Sequence, residues 1–248
     1  PGRRLQLFLR DRFKISLGIG LGLVISSIVY FLVLQAAPGR VNMLTVQIIL
    51  LILLLAITFL RERKEKWEGI RLPALSYLQW ILLGIFFLVC VIAVLVFINT
   101  IISRPQGVLD AWSIWNRAAR FIYRDPENWQ ATLSPDLALF RHADYPLLVP
   151  LNVAWGWESL GNETLRVPMV QSALFTFSVV MVMFSTLAFT RTIGQASLAS
   201  VALIAFTGVI VEGTYLIADV PVMYFILTSG ILMHLFTVRN ESSLLMLS

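Results

Sequence analysis

Two short acidic motifs lie in the one long polar segment of an otherwise apolar chain. They are Leu109-Asp110-Ala111-Trp112 and His142-Ala143-Asp144-Tyr145-Pro146, in a segment that we place at residues 103–164. In a membrane protein, carboxylates and aromatic rings at the mouths of apolar helices usually mark a place of binding or chemistry. Asp110 and Asp144 are therefore the first candidates for a functional site.

The composition indicates an integral membrane protein. Apolar residues make up 58% of the 248 residues and charged residues 13%, which is too apolar for a soluble domain. Six segments reach the length of about 20 residues that a membrane-crossing helix needs, so we predict an all-α polytopic helical bundle, a single transmembrane domain over 1–248. The predicted spans are 15–37, 42–60, 78–102, 165–189, 196–211 and 219–238. The chain starts without Met and ends soon after the sixth span, which predicts a piece of a longer protein.

Basic residues predict the orientation of these spans. They precede the first span, follow the second and sixth, and separate the fourth from the fifth, so all four clusters share one side, which the positive-inside rule makes cytoplasmic. The loop 103–164 and the turn at 212–219 then face outward, to the periplasm or the extracellular surface. Because the net charge of +5 comes from short inter-span segments, we expect no nucleic-acid partner.

The outer loop is predicted to contain amphipathic juxtamembrane helices. Over residues 109–124, apolar and polar positions recur at steps of three and four, as in a helix lying in the membrane interface. The apolar stripe is Val108, Trp112, Trp115, Ala119 and Ile122, and the opposite stripe is Asp110, Ser113, Arg117, Arg120 and Arg124. A second segment, 146–160, presents Trp155 and Trp157 as interface anchors.

Structural explanations compete with functional ones at each of these residues. Asp110 is equally compatible with a helix cap, and the arginine stripe with lipid headgroups. His142 suits a loop hydrogen bond, and Glu212 and Asp219 suit a membrane boundary. With two histidines in the chain, a multi-histidine metal site is excluded. The run Gly18-Ile19-Gly20-Leu21-Gly22 lies inside an apolar span, where close helix packing is its best explanation.

Taken together, three motifs resemble the GT-C superfamily of membrane glycosyltransferases. They are Asp110-Ala111-Trp112-Ser113-Ile114-Trp115, the segment from His142 to Leu148, and Ala218-Asp219-Val220-Pro221. The nearest branch is that of bacterial proteins related to protein O-mannosyltransferases and to the aminoarabinose transferase of lipid A, and the similarity covers about 107–224. In the best-known members the acidic loop follows the first span, whereas here it follows the third.

The resemblance implies transfer of a sugar from a polyprenyl-phosphate donor, at the outer membrane face, to an unknown protein, glycan or lipid acceptor. Asp110 and Asp144 are then the catalytic candidates: Asp110 as a general base, and Asp144 orienting the site or sharing a divalent cation with Asp110. No other cofactor is indicated. The remaining substrate-binding candidates are Arg117 and Arg120 for the phosphate, with Trp112, His142, Tyr145, Asp219 and Glu212. The alternatives are a non-enzymatic lipid-binding or assembly subunit and, third, a transporter.

Overall fold

The computed structural model describes residues 2–62, 75–134, 136, 144–206 and 208–239, which form helices and turns without a strand among them. The predicted all-α fold is therefore confirmed over this part of the chain. The α-helices are α1 (Gly2–Ala36), α2 (Met43–Glu62), α3 (Tyr77–Ser103), α4 (Asn116–Arg124), α5 (Leu148–Leu160), α6 (Arg166–Thr190), α7 (Ile193–Ala205), α8 (Gly208–Gly213) and α9 (Asp219–Arg239). A π-helical turn, Ala111–Trp115, precedes α4, and a 3-10 helix, Pro126–Leu133, follows it.

Four of these helices are long and apolar enough to cross a membrane, as expected for a multi-pass membrane protein. They are Phe13–Ala36 within α1, Tyr77–Ser103, Arg166–Thr190 and Asp219–Thr237. The predicted second and fifth spans contain shorter described apolar helices, Met43–Ile57 and Ile193–Ala205, so the count of six stays a prediction.

The predicted fifth span is not one continuous helix. Helix α7 ends at Ala205, the ψ of 102° at the following Phe206 is extended, and α8 begins at Gly208. Because an α-helix rises 1.5 Å per residue, the 13 residues of α7 cover about 20 Å, short of a hydrocarbon core of about 30 Å. Hydropathy did not reveal this break, since the residues on both sides of it are apolar.

Helix starts follow from local capping chemistry. Helix α3 begins with a capping box, in which Gln79 N donates to Ser76 Oγ (3.3 Å) and Ser76 N donates to Gln79 Oε1 (3.0 Å). Thr192 caps α7 with its side chain, whose Oγ1 accepts from Gln195 N at 3.2 Å. Each cap satisfies backbone donors that a helix leaves without a partner.

The chain forms two compact units, a division that the sequence analysis did not anticipate; the single transmembrane domain stays a prediction. Unit 1 comprises Pro1–Gly22, Arg71–Ala111 and Pro168–Ser248. In its core α3 packs against α7, and Phe86 stacks on Phe184 with ring centroids 4.6 Å apart.

A glycine allows close packing of α1 on α9 within unit 1. Tyr224 donates from its hydroxyl to the carbonyl of Ser16 (2.8 Å), and a Cβ at Gly20 would overlap the Tyr224 ring. A Cβ at Gly18 or Gly22 would meet nothing within 4 Å. The predicted packing role of the glycine run therefore holds at Gly20.

We expect Gly20→Ala to destabilise the fold by about 1–3 kcal/mol, the usual cost of forcing an extra carbon into a packed core. Gly18→Ala and Gly22→Ala are matched controls, expected to be neutral or up to about 1 kcal/mol more stable, because alanine is the better helix former. Thermal unfolding of the three variants in one detergent measures this. Equal shifts in all three would contradict the packing role.

Unit 2 comprises Leu23–Ile70 and Trp112–Val167, and α4 packs on α5 within it. Its core contains Tyr30, Leu34, Ile122, Trp129 and Trp157. Trp157 is fully buried, and its indole donates to the carbonyl of Thr164 at 2.7 Å. The prediction that Trp157 anchors the membrane interface is therefore wrong: its ring lies in the protein core and its N–H has a protein partner.

Candidate functional site

Asp110 and Asp219 lie on two segments of unit 1 that contact each other directly. Gly107 has a φ of +73° and packs so closely on the carbonyl of Tyr215 that a Cβ would overlap it. Val108 N donates to that same carbonyl at 3.3 Å. We call residues 104–111 and 214–219 the loop pair, in which Asp110 and Asp219 are among the first helical residues after each loop. The start of the first motif, Asp110-Ala111, and the third motif therefore lie together in unit 1, whereas Trp112 to Trp115 belong to unit 2.

Buried apolar residues anchor the loop pair, while its two acidic side chains are exposed. Ala111 and Leu216 are buried in one apolar cluster, and Leu216 has a φ of +60°, a conformation uncommon for a residue with a side chain. The side chains of Asp110 and Asp219 are exposed. Asp219 occupies the first turn of α9, as predicted, where the helix dipole favours a carboxylate.

Within the described part of the chain, no structural contact explains the carboxylate of Asp110. Among the described residues, its side chain has neither a hydrogen-bond partner nor an ion-pair partner, and the N–H of Ala111 bonds to the carbonyl of Val108 (3.0 Å). The helix-cap interpretation therefore has no support there. Glu212, half-buried in α8, and Asp219 likewise make no side-chain hydrogen bond to the described part of the chain.

The predicted amphipathic helix begins with a π-helical turn, which alters its faces. Trp112, predicted on the apolar stripe, is 46% exposed, whereas Ser113, predicted on the polar stripe, is buried. The reason is that a π turn closes its hydrogen bonds from i to i+5, so the 3.6-residue repeat does not hold across Ala111–Trp115. The burial of Trp115, Ala119 and Ile122 agrees with the prediction.

The second motif meets the aromatic end of the first motif in unit 2. Trp115 stacks on Tyr145 with ring centroids 5.3 Å apart and an interplanar angle of 23°. The two rings border a shallow, open cleft, otherwise lined by Ile114, Ala118, Leu133, Pro146, Leu147 and Pro150. Asp144 and Tyr145 are exposed, and His142 lies outside the described residues. We name this the aromatic cleft.

Arg120 and Arg124 in unit 2 bind a carboxylate that sequence reasoning missed. Glu163 accepts from Arg124 Nε (2.5 Å) and Arg124 Nη2 (2.9 Å), and Arg120 Nε lies 3.4 Å from its Oε2. The guanidinium of Arg120 also lies 5.8 Å from the ring centroid of Trp157. Arg117 is half-exposed. No local signal identifies Glu163, because it follows Arg124 by 39 residues.

The hydrogen bond from Arg124 lowers the pKa of the Glu163 carboxyl, and Arg120 contributes to the same shift. A lowered folded-state pKa means that the stability from this contact is present above the ordinary carboxyl pKa and is lost as the pH falls through the folded value. Glu163 is therefore ionised at neutral pH, and it competes there with any other anion for the two arginines.

The carboxylates do not form a metal site among the described residues. No group of three or more His, Cys, Asp or Glu side chains converges there, and Asp110 and Asp144 belong to different units. A protein-held Mg²⁺ or Ca²⁺ takes several oxygen ligands, and the divalent cation shared by Asp110 and Asp144 stays a prediction.

Comparisons with protein-family models, with curated proteins and with solved structures find no match for this chain.

Proposed function

We propose that the chain is part of an integral-membrane glycosyltransferase of the GT-C type, which moves a sugar from a polyprenyl-phosphate donor to an acceptor at the outer membrane face. The observation that carries the proposal is the exposed Asp110 carboxylate, which has no structural partner among the described residues. It stands on a loop joined to the one that carries Asp219. An ionisable residue beside apolar helices, without a packing role, is best explained by function.

Asp110 is the general base in this proposal. It accepts the proton of the acceptor hydroxyl or amine as the acceptor atom forms its bond to the anomeric carbon of the sugar. The bond from that carbon to the phosphate oxygen breaks, and its electron pair leaves with the polyprenyl phosphate. The proton is then released from Asp110 to water. General-base assistance of this kind contributes about 10²–10⁴ to a rate.

The departing phosphate requires cations, and the prenyl chain requires an apolar surface. Arg117 and Arg120 are the predicted phosphate partners, because a guanidinium matches two phosphate oxygens at once, and Arg124, which shares Glu163 with Arg120, is added to them. The aromatic cleft presents apolar walls and two aromatic rings, which suit the first isoprene units or the face of a sugar ring. Asp144 belongs to the second motif, next to Tyr145 of the cleft, and is proposed to orient the substrate.

The proposal includes an orientation of the chain in the membrane, which rests on the positions of the basic residues in the sequence. Six crossings would keep all basic clusters in the cytoplasm and place the loop pair and the aromatic cleft outside. The inner (plasma) membrane of a bacterium is the proposed location.

Vesicles of known orientation test the function and its sidedness together. Right-side-out vesicles that contain the chain should transfer labelled sugar from an added undecaprenyl-phosphate sugar, and inverted vesicles should not. Vesicles from cells without the chain are the control. A non-enzymatic lipid-binding subunit would bind the donor in either preparation without releasing polyprenyl phosphate, and that result would replace the proposal.

A further inference from the structure

We propose that Glu163 is an internal counter-anion, which occupies the phosphate position on Arg120 and Arg124 until a prenyl phosphate displaces it. This inference rests on the proposed function for the identity of the lipid, and it adds a residue that controls access to the phosphate site. Glu163 is a positioning residue here, since it acts through the arginines and does not contact the sugar.

The geometry of the carboxylate resembles that of a bound phosphate. Two nitrogens of Arg124 reach the two oxygens of Glu163 at 2.5 and 2.9 Å, and Arg120 Nε approaches one of them at 3.4 Å. Carboxylates and phosphates present the same pair of oxygens to a guanidinium fork. The place that Glu163 fills is therefore one that a phosphate ester can fill with the same donors.

Both Arg120 and Glu163 are held in position by their surroundings. The guanidinium of Arg120 lies 5.8 Å from the ring centroid of Trp157, an arrangement that stabilises a cation. Trp157 is itself fixed, because it is buried and donates to the carbonyl of Thr164, next to Glu163. Gly161 ends α5 with a φ of +67°, a left-handed conformation that turns the chain there. Arg124, by contrast, has a 65% exposed side chain.

The charges make displacement feasible. The two arginines and Glu163 together carry one net positive charge, and the pair becomes fully available to an incoming anion when Glu163 leaves. Ion pairs with this much solvent exposure are weak and are screened by salt. A phosphate ester that is also held by its prenyl chain can therefore replace the carboxylate, whereas a free ion lacks that second contact.

Binding of farnesyl phosphate to the full chain in phosphatidylcholine nanodiscs tests this inference. In Glu163→Gln the competing charge is gone, so we expect the affinity for farnesyl phosphate to rise about three-fold to ten-fold, the scale of an exposed ion pair shared by two arginines. Farnesol, which lacks the phosphate, should bind both proteins equally. Glu127→Gln is the matched control, since Glu127 is an exposed acid in the 3-10 helix of the same unit, and it should leave the affinity unchanged.

A Glu163→Gln protein that folds normally and binds farnesyl phosphate no better than the wild type would overturn the inference. If that variant does not fold, Glu163→Asp keeps the charge and shortens its reach, and an affinity above the wild-type value is expected; an equal affinity would overturn the inference too. Replacing phosphatidylcholine by phosphatidylglycerol should leave the difference between the proteins intact. If it abolishes the difference, bulk headgroups occupy the site and the inference fails.

The two proposals fail separately. If sugar transfer depends on Asp110 but the affinity for farnesyl phosphate does not depend on Glu163, the glycosyltransferase proposal stands and the counter-anion proposal is wrong. If Glu163→Gln binds farnesyl phosphate more tightly but the wild type transfers no sugar, the counter-anion proposal is supported and the glycosyltransferase proposal is wrong.

Discussion

Replacing Asp110 by Asn is expected to lower the rate of sugar transfer by about 10²–10⁴, because the amide cannot accept the proton of the acceptor. The fold should be unaffected, since no described residue bonds to the Asp110 side chain. Expression, thermal stability and donor binding should therefore match the wild type. Transfer of labelled sugar in membranes, normalised to the amount of chain, measures the loss.

Asp125→Asn is the control for this substitution. Asp125 is also exposed, but it caps the 3-10 helix by accepting from Asn128 N at 3.3 Å, and the side-chain oxygen of asparagine preserves that role. Its transfer rate should stay near the wild-type value. If Asp110→Asn also transferred sugar at a near-normal rate, Asp110 would not be the base.

Gly107→Ala is expected to disrupt the loop pair and to reduce transfer about 10²-fold, the scale at which a small misplacement of a reacting group acts. The alanine would have to adopt a φ of +73°, and its Cβ would overlap the carbonyl of Tyr215. We expect a destabilisation of more than about 2 kcal/mol, which combines left-handed strain with the overlap. Thermal unfolding and transfer assays on the same preparation measure both effects.

Gly39→Ala is the control that separates the strain of the left-handed conformation from the overlap with a backbone carbonyl. Gly39 has a similar φ of +66°, but its Cβ would meet only a side-chain atom, Pro126 Cγ, at 3.3 Å. The free energy of unfolding of Gly39→Ala should be about 1–2 kcal/mol lower, because alanine is strained in the left-handed conformation. Its transfer activity should be unchanged. Equal losses of activity in both variants would show that the loop pair does not position Asp110.

The sequence correctly predicted those structural features that depend on composition or on a local pattern. The long apolar helices follow from runs of apolar residues, and the start of α9 at Asp219 follows from an acid and Pro221 at a helix N-terminus. The buried face of Trp115, Ala119 and Ile122 follows from helical spacing. Each of these signals is contained within about 20 residues of chain.

Such patterns could not predict features that depend on local backbone geometry. The π turn at Ala111–Trp115 changes the helical repeat without a diagnostic residue, and it moved Trp112 and Ser113 to faces opposite to those predicted. The break at Phe206 lies in a run of apolar residues, where hydropathy cannot detect it. Both errors come from assuming an ideal helix.

Contacts between distant segments could not be read from spacing either. Gly107 against Tyr215, and Glu163 against Arg120 and Arg124, join residues that are far apart in the chain. The sequence marked Arg120 as a phosphate ligand, and the structure shows a carboxylate already bound to it. The proposed role of Arg120 thus remains, but it requires the displacement of Glu163.

The most direct test of the central claim is the stoichiometry of donor consumption in membranes that contain the chain. Undecaprenyl-phosphate sugars carrying glucose, mannose, galactose or arabinose would be added in turn, and polyprenyl phosphate and transferred sugar would be measured by mass spectrometry. We predict that at least one donor yields the two products in equal amounts with the wild type, at a rate about 10²–10⁴ above that of Asp110→Asn. Donors that bind and are recovered intact, or that are consumed equally by both proteins, would contradict the proposed glycosyltransferase.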